Sequence, residues 1–182
     1  MRALLLLLLL AGCGQGGERG PSALSAAPRA LIHVRPIAEA VDIPPGEIGI
    51  VRDEKGQVVR RLTLSPPPGQ RFTEALTTEL RNAGHLPSGP EAPYILEGAV
   101  LRFAMAADPG RITWDSRLDA QVAVTLRRRD RAVSRSLVAT CQEAGATRPD
   151  HDSAAALATA CITRLARQFR DDTAIAGFLS GL

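Results

Sequence analysis

The residues of this 182-residue chain that are best suited to chemistry are three cysteines and three histidines. Cys13 stands directly after an apolar run near the N-terminus, whereas Cys141 and Cys161 lie far along the chain. A thiol can be modified, joined in a disulfide or bound to a metal, and the neighbours of each cysteine decide which chemistry fits. The three sites are therefore interpreted separately.

Cys13 lies at the end of a segment with the order of an export signal. Met1-Arg2 is a short basic start, residues 3–10 are apolar, and Ala11-Gly12 are small. This apolar run is too short to cross a bilayer as a helix, which needs about 20 residues. It predicts a signal peptide over residues 1–12.

Leu10-Ala11-Gly12-Cys13 resembles the lipobox of bacterial lipoproteins. The resemblance implies cleavage before Cys13, acylation of Cys13 and a firm membrane anchor, because more than one acyl chain makes attachment stable. In that class an aspartate after the cysteine favours the inner membrane. Gly14 stands there instead, which implies the periplasmic face of the outer membrane of a Gram-negative bacterium. The alternative is an ordinary secretory signal with a chance cysteine.

Cys141 and Cys161 remain as an even pair once Cys13 is lipidated. An oxidising periplasm favours pairing, and the pattern puts Cys141 at the end of a strand and Cys161 on the buried face of the next helix. A disulfide between them is one interpretation. Two buried free thiols that act as small hydrophobic groups are the other.

The histidines do not form a recognisable catalytic or metal motif. His151 stands between Asp150 and Asp152, but no second histidine or cysteine follows at ligand spacing. His85 follows Gly84 at a predicted helix end, where a partly positive ring would suit the helix dipole. The sequence also lacks a nucleophile elbow and a phosphate-binding glycine loop. We therefore expect no enzyme, no metal site and no cofactor.

The strongest local charge is the run Arg127-Arg128-Arg129-Asp130-Arg131. A formal charge of +3 over the whole chain is too small to indicate nucleic-acid binding. One interpretation of the run is a solvated hairpin turn. In the other, Arg128, Arg129 and Arg131 contact a partner or an anionic surface, where each arginine contributes about 1 kcal/mol.

The hydrophobic pattern divides the chain into three parts. They are a signal peptide at residues 1–12, the lipidated cysteine with a flexible tether at residues 13–28, and one folded periplasmic domain at residues 29–182. Within the domain, residues 118–126 alternate between apolar and polar, which is typical of a strand with one buried face. The order of predicted strands and helices favours an α+β two-layer sandwich, with a mostly antiparallel sheet and two main helices on one face.

Several short motifs occur in the order found in the YajG family of bacterial lipoproteins. They are the Cys13 lipobox, the Arg52-Asp53 turn, Leu62-Thr63-Leu64-Ser65-Pro66, the Arg71-Phe72 helix start and the tail from Asp171 to Phe178. The chain resembles that family, and its architecture is similar to that of auxiliary lipoproteins of envelope ABC transport systems. The family has no established activity, so Cys13 is the only functional residue that the resemblance transfers.

These observations predict a non-enzymatic outer-membrane lipoprotein that is an accessory or scaffold in cell-envelope assembly or transport. Its partners would be the membrane, through Cys13, and an envelope protein that the sequence does not identify. The sequence also leaves the oligomeric state open. The alternative is a periplasmic carrier of lipid or another small ligand, which would need a cleft between the sheet and the helices.

Overall fold

The computed structural model describes residues 22–39, 44, 46–110 and 112–181, so the predicted signal peptide and Cys13 lie outside the described residues. Within them, a mixed seven-stranded sheet combines with four helices. In chain order the elements are α1 (Ala23–Ala26), β1 (Leu31–Val34), β2 (Glu47–Arg52), β3 (Val58–Thr63), α2 (Pro68–Asn82), β4 (Leu86–Pro87), β5 (Tyr94–Pro109), β6 (Trp114–Arg128), β7 (Arg131–Gly145), α3 (His151–Arg170) and α4 (Thr173–Leu179).

Three long antiparallel strands, β5, β6 and β7, form the largest part of the sheet. The alternation predicted for residues 118–126 is confirmed, because every second residue is buried and the residues that alternate with them point to the other face. The buried residues are Leu118, Ala120, Val122, Val124 and Leu126. Successive side chains of a strand point to opposite faces. The buried face meets the helices, and we call the other face of β5–β7 the open face.

The sheet is mixed, which corrects the expectation of a mostly antiparallel sheet. The start of β5 pairs in parallel with β1, and its end pairs in parallel with β2. β4 also lies parallel to β1, whereas the β2–β3, β5–β6 and β6–β7 pairs are antiparallel. The sequence pattern reveals strands and hairpins, but it does not show that β1 and β2 share one edge of β5.

The long helices α2 and α3 pack against each other and on the sheet, and their apolar faces are buried as expected. These faces consist of Phe72, Leu76, Leu80, Leu157, Leu165 and Phe169. Two short helices, α1 and α4, are also present. The expectation of two main helices is therefore incomplete. The end of the chain is apolar enough to pack as the short helix α4, whereas no pattern in the sequence indicates α1.

Helix α1 lies inside the segment that was expected to be a flexible tether. Leu24 is fully buried and belongs to the hydrophobic core. Ser22 caps the helix by accepting a hydrogen bond from the Ser25 N–H at 3.2 Å. Residues 22–28 thus belong to the folded domain, which corrects the expected boundary at Arg29. The sequence did not predict this four-residue helix, because the segment is rich in Gly, Ser and Ala and Leu24 is the only residue of the helix that is buried.

Helix α3 also covers part of the outer edge of β7. Arg164 donates a hydrogen bond to the Thr140 carbonyl at 3.2 Å, and Gln168 donates one to the Val138 carbonyl at 3.0 Å. Edge strands with unpaired backbone groups invite pairing with other chains, so these two side chains protect the edge. No helix among the described residues has the length and apolar character needed to cross a bilayer.

Candidate functional site

The turn between β6 and β7 places Arg128, Arg129 and Arg131 together at one end of the sheet, and we call these three residues the arginine tip. All three are exposed. Arg129 has a φ of 55°, in the left-handed region that glycine or asparagine adopts more easily than arginine. A residue held in such a conformation is a reasonable starting point for a functional hypothesis.

Two aromatic rings support the arginine tip. The guanidinium carbon of Arg128 lies 5.1 Å from the centre of the Tyr94 ring, and that of Arg131 lies 5.7 Å from the centre of the Phe178 ring. The two rings meet edge to face with their centres 6.2 Å apart. A guanidinium within about 6 Å of a ring is attracted to its π face. The tip is therefore packed on a platform from β5 and α4.

Further arginines stand beside the tip and share one carboxylate. Glu97 accepts hydrogen bonds from Arg127 at 2.5 Å and from Arg35 at 3.1 Å. The hydrogen bond from Arg127 holds the pKa of Glu97 below its ordinary value, and the positive charges of Arg127 and Arg35 add to this effect. Because two arginines face one carboxylate, this cluster also contributes to the basic character of the tip end.

His85 joins the beginning of the described chain to this same end of the domain. Its Nδ1 accepts a hydrogen bond from the Ala30 N–H at 3.3 Å, so its Nε2–H donates to the Leu24 carbonyl at 3.2 Å. The side chain is only 1% exposed, and burial lowers its pKa. The sequence had suggested a partly positive ring near the helix end. The structure instead holds a neutral ring as a buried link between α1 and β1.

The open face is nearly neutral in its middle. Cross-strand rows there carry small side chains, such as Ala99, Ala123 and Ser136. Two larger apolar side chains are accessible beside them, Leu101 at 53% and Val138 at 57% exposure. Such a surface can be covered with little loss of side-chain freedom.

An ion-pair network borders the open face on the side away from the tip. Asp119 accepts a hydrogen bond from the Thr140 hydroxyl at 2.7 Å and pairs with Arg117 at 3.1 Å and Arg102 at 3.7 Å. The Thr140 hydrogen bond, followed by that of Arg117, lowers the pKa of Asp119. Asp119 therefore keeps its charge under mildly acidic conditions, and the network fixes the long side chains of the two arginines.

Cys141 and Cys161 are brought together between β7 and α3, with their Cα atoms 5.8 Å apart. This spacing lies in the range found for disulfides. Cys161 is fully buried and Cys141 is half-buried. The bond itself stays a prediction that thiol labelling tests.

The grooves among the described residues are open to solvent. One of about 580 Å³ lies at the end opposite the arginine tip and includes Asp108, Asp115 and Glu143. Another, of about 520 Å³, runs beside the two cysteines, and a third, of about 440 Å³, lies between Pro36–Glu39 and α2. Within the part of the chain that the structure describes, no cluster of His, Cys, Asp and Glu is placed to hold a metal ion.

Sequence reasoning identified the arginines of the tip but missed what surrounds them. Tyr94 is the single tyrosine of the chain, and Phe178 lies in the tail motif. Neither position carries a local pattern that links it to residues 128–131. The Tyr94–Arg128 contact depends on the register of the β5–β6 pair, in which Ile95 lies opposite Arg127. The Phe178–Arg131 contact depends on the return of α4 to the sheet.

Comparison with known proteins gives a family and a fold. A family model described as uncharacterized lipoprotein matches residues 47–180. The fold is similar to that of protein XCC0632 from Xanthomonas campestris, with a TM-score of 0.60, 18% identity, and coverage of 86% of this chain and 91% of that one. The crystal structure of an uncharacterized protein is also similar, with a TM-score of 0.52 and 13% identity, and the alignment covers 79% of this chain and 93% of that one.

A minor lipoprotein from Acinetobacter baumannii is a more distant neighbour. Its TM-score is 0.44 at 17% identity, and the alignment covers 68% of this chain and 90% of that one. No curated protein matches the chain.

Proposed function

We propose that this chain, which belongs to the YajG family of uncharacterized bacterial lipoproteins, is a non-enzymatic accessory or scaffold protein of the cell envelope. In this proposal the lipidated Cys13 holds the domain at the periplasmic face of the outer membrane. The open face of β5–β7 then binds an envelope protein. The resemblance in architecture suggests a component of an ABC transport system as one class of partner.

The open face is the observation that carries the proposal. Three strands spaced about 4.8 Å apart and about 50 Å long present roughly 700 Å² of surface. A standard protein interface buries about 800 Å² on each partner. The face is neutral in its middle, has two accessible apolar side chains in Leu101 and Val138, and rests on a filled core. These properties suit docking of a second protein.

The anchor would supply the mechanism. A lipid-anchored domain stays at one surface, so its effective concentration for a partner there rises without any additional contact. Such a role needs a stable face and a fixed location, and it needs no catalytic group. The three grooves described above are open to solvent, which supports this role over that of a lipid carrier, because a carrier requires an enclosed apolar cavity.

Photo-crosslinking in intact cells tests the docking face. A photoreactive amino acid at Ser136 or Val138 should give a discrete adduct with one envelope protein. The exposed positions Glu74 and Thr78 on α2 are matched controls and should give none. An S136R/V138R variant should fold, remain anchored and lose both the adduct and complementation of a deletion strain. Equal adducts from both surfaces would contradict the assignment of the open face.

The Cys13→Ala variant tests the anchor. Wild type should fractionate with the outer membrane and partition into detergent, while Cys13→Ala should remain unprocessed or become soluble. Wild type in the inner-membrane fraction would contradict the outer-membrane location alone. A variant that behaves like wild type would contradict the lipid anchor. Stoichiometric lipid extracted from the domain, beyond the acyl chains of Cys13, would favour the carrier alternative.

A further inference from the structure

We propose that the arginine tip binds the phosphate groups of anionic lipids in the membrane that holds the Cys13 anchor, so that the domain stands with its tip end against the bilayer. The inference rests on the lipid anchor of the proposed function. It adds the surface of the domain that meets the membrane, and it leaves the open face perpendicular to the bilayer and accessible to a protein.

The first observation is that the chain enters the domain at the tip end. Helix α1 contacts α4, and Phe178 of α4 lies under Arg131 of the tip. Strand β1, which follows α1, begins beside the start of β5, where Ile32 pairs with Tyr94. Tyr94 lies under Arg128. The N-terminal connection to Cys13 and the arginine tip therefore share one end of the sheet.

The second observation is a comparison of two lengths. The residues from Cys13 to Ser22 span at most about 30 Å, whatever path they follow. Strand β6 has 15 residues and is therefore about 50 Å long. It runs from Trp114 at the far end to Arg128 at the tip. The connection is shorter than the domain, so the domain cannot be inverted to place its far end on the membrane while the tip end faces away.

The third observation is the chemistry of the tip. Guanidinium groups bind phosphate oxygens through paired hydrogen bonds. The rings of Tyr94 and Phe178 hold two of these side chains close to one orientation, so less side-chain entropy is lost on binding. Arg129 projects from the turn itself in a conformation that asparagine or glycine would adopt with less strain. One aspartate, Asp130, accompanies the three arginines.

The single tryptophan makes the orientation measurable, because Trp114 stands at the end of β6 opposite the tip. The lipidated full chain is reconstituted into phosphatidylcholine vesicles that contain phosphatidylglycerol and a lipid with a quencher on its headgroup. Two forms are compared, the wild type and a W114F/A132W variant whose only tryptophan lies at the exposed tip-end position 132. Quenching of the tryptophan at position 132 should be at least about two-fold stronger than quenching of Trp114 in wild type.

Charge reversal separates phosphate binding from simple tethering. R128E/R129E in the W114F/A132W background should lower quenching at position 132 to the level measured on vesicles of pure phosphatidylcholine, and so should about 1 M salt, where screening acts within about 3 Å. R52E/R61E makes the same change in net charge on exposed arginines near the far end of β5 and should leave quenching unchanged. Unfolding curves of both variants check that each is folded.

Each remaining outcome bears on a different part of the argument. Equal quenching at both positions, or the same difference on pure phosphatidylcholine, would overturn the binding of phosphate by the tip while leaving the anchor intact. Protein that fails to float with the vesicles would overturn the anchor and the tip together. Unchanged quenching in R128E/R129E with loss of envelope function would overturn the lipid assignment and give the tip to a protein partner.

Discussion

Removal of the predicted disulfide between Cys141 and Cys161 is the perturbation whose magnitude follows most directly from the structure. The two residues are separated by 20 positions, so a bridge closes a loop of that length in the unfolded chain. In the chain-entropy model such a loop contributes about 3 kcal/mol to the free energy of unfolding. For a domain of this size, about 2–4 °C per kcal/mol applies, so the melting temperature should fall by roughly 6–12 °C.

The assay compares C141A, C161A and the double variant C141A/C161A. If the bridge exists, each single variant already loses it, and the double variant should be little less stable than the singles. If the thiols are free, the buried Cys161 and the half-buried Cys141 contribute separately and their effects should add. Reductant should destabilise wild type only in the first case.

Thiol alkylation of denatured, unreduced protein gives a direct reading. The mature chain should take up no label at Cys141 and Cys161 before reduction and two labels after it. Two labelled cysteines before reduction would refute the bridge. Additive losses in the variants together with an unchanged melting temperature in reductant would refute the entropic argument.

Two further predictions concern the N-terminal part of the domain. Because burial lowers the pKa of His85 below the ordinary 6.5, the unfolded chain takes up a proton first as the pH falls. The free energy of unfolding should therefore be fully retained above about pH 6.5 and decrease as the pH drops toward the folded pKa. In urea titrations at several pH values, the free energy of unfolding of H85Q should depend less on pH than that of wild type. The same pH dependence in both proteins would contradict the buried neutral ring. Leu24→Ala should lower the free energy of unfolding by about 2–5 kcal/mol in the same titrations, because it empties a fully buried site. Replacement of the exposed Ser25 by Ala should lower it by less than about 1 kcal/mol. Equally small losses in both variants would show that residues 22–28 belong to the tether and not to the folded domain.

The elements that the sequence predicted are those with a strong local signal. Strict alternation in residues 118–126 defined β6, and the turn residues after Arg52 defined the β2–β3 hairpin, which the structure contains. The apolar face beginning at Phe72 defined α2, although the helix starts earlier, at Pro68. Each of these patterns lies within one element or between neighbours in the sequence.

The features that the sequence did not reveal all depend on contacts between distant segments. Leu24 gives no periodic signal in a four-residue helix, and it is buried only because α4 and His85 cover it. The ring under Arg128 comes from Tyr94, which lies on a strand that precedes β6. The charge of the tip was readable from the sequence, but the platform that orients it was not.

The position of β1 between β4 and β5 also determines the order in which the domain can form. During synthesis β1 emerges early, but His33 has no sheet partner until Ile95 follows it. Pairings of this range slow folding, and an unpaired apolar strand is exposed to association meanwhile. The end of the domain that contains β1 therefore forms only after β5 has been synthesised. A chain truncated before β5 should leave its N-terminal segment unfolded and sensitive to protease.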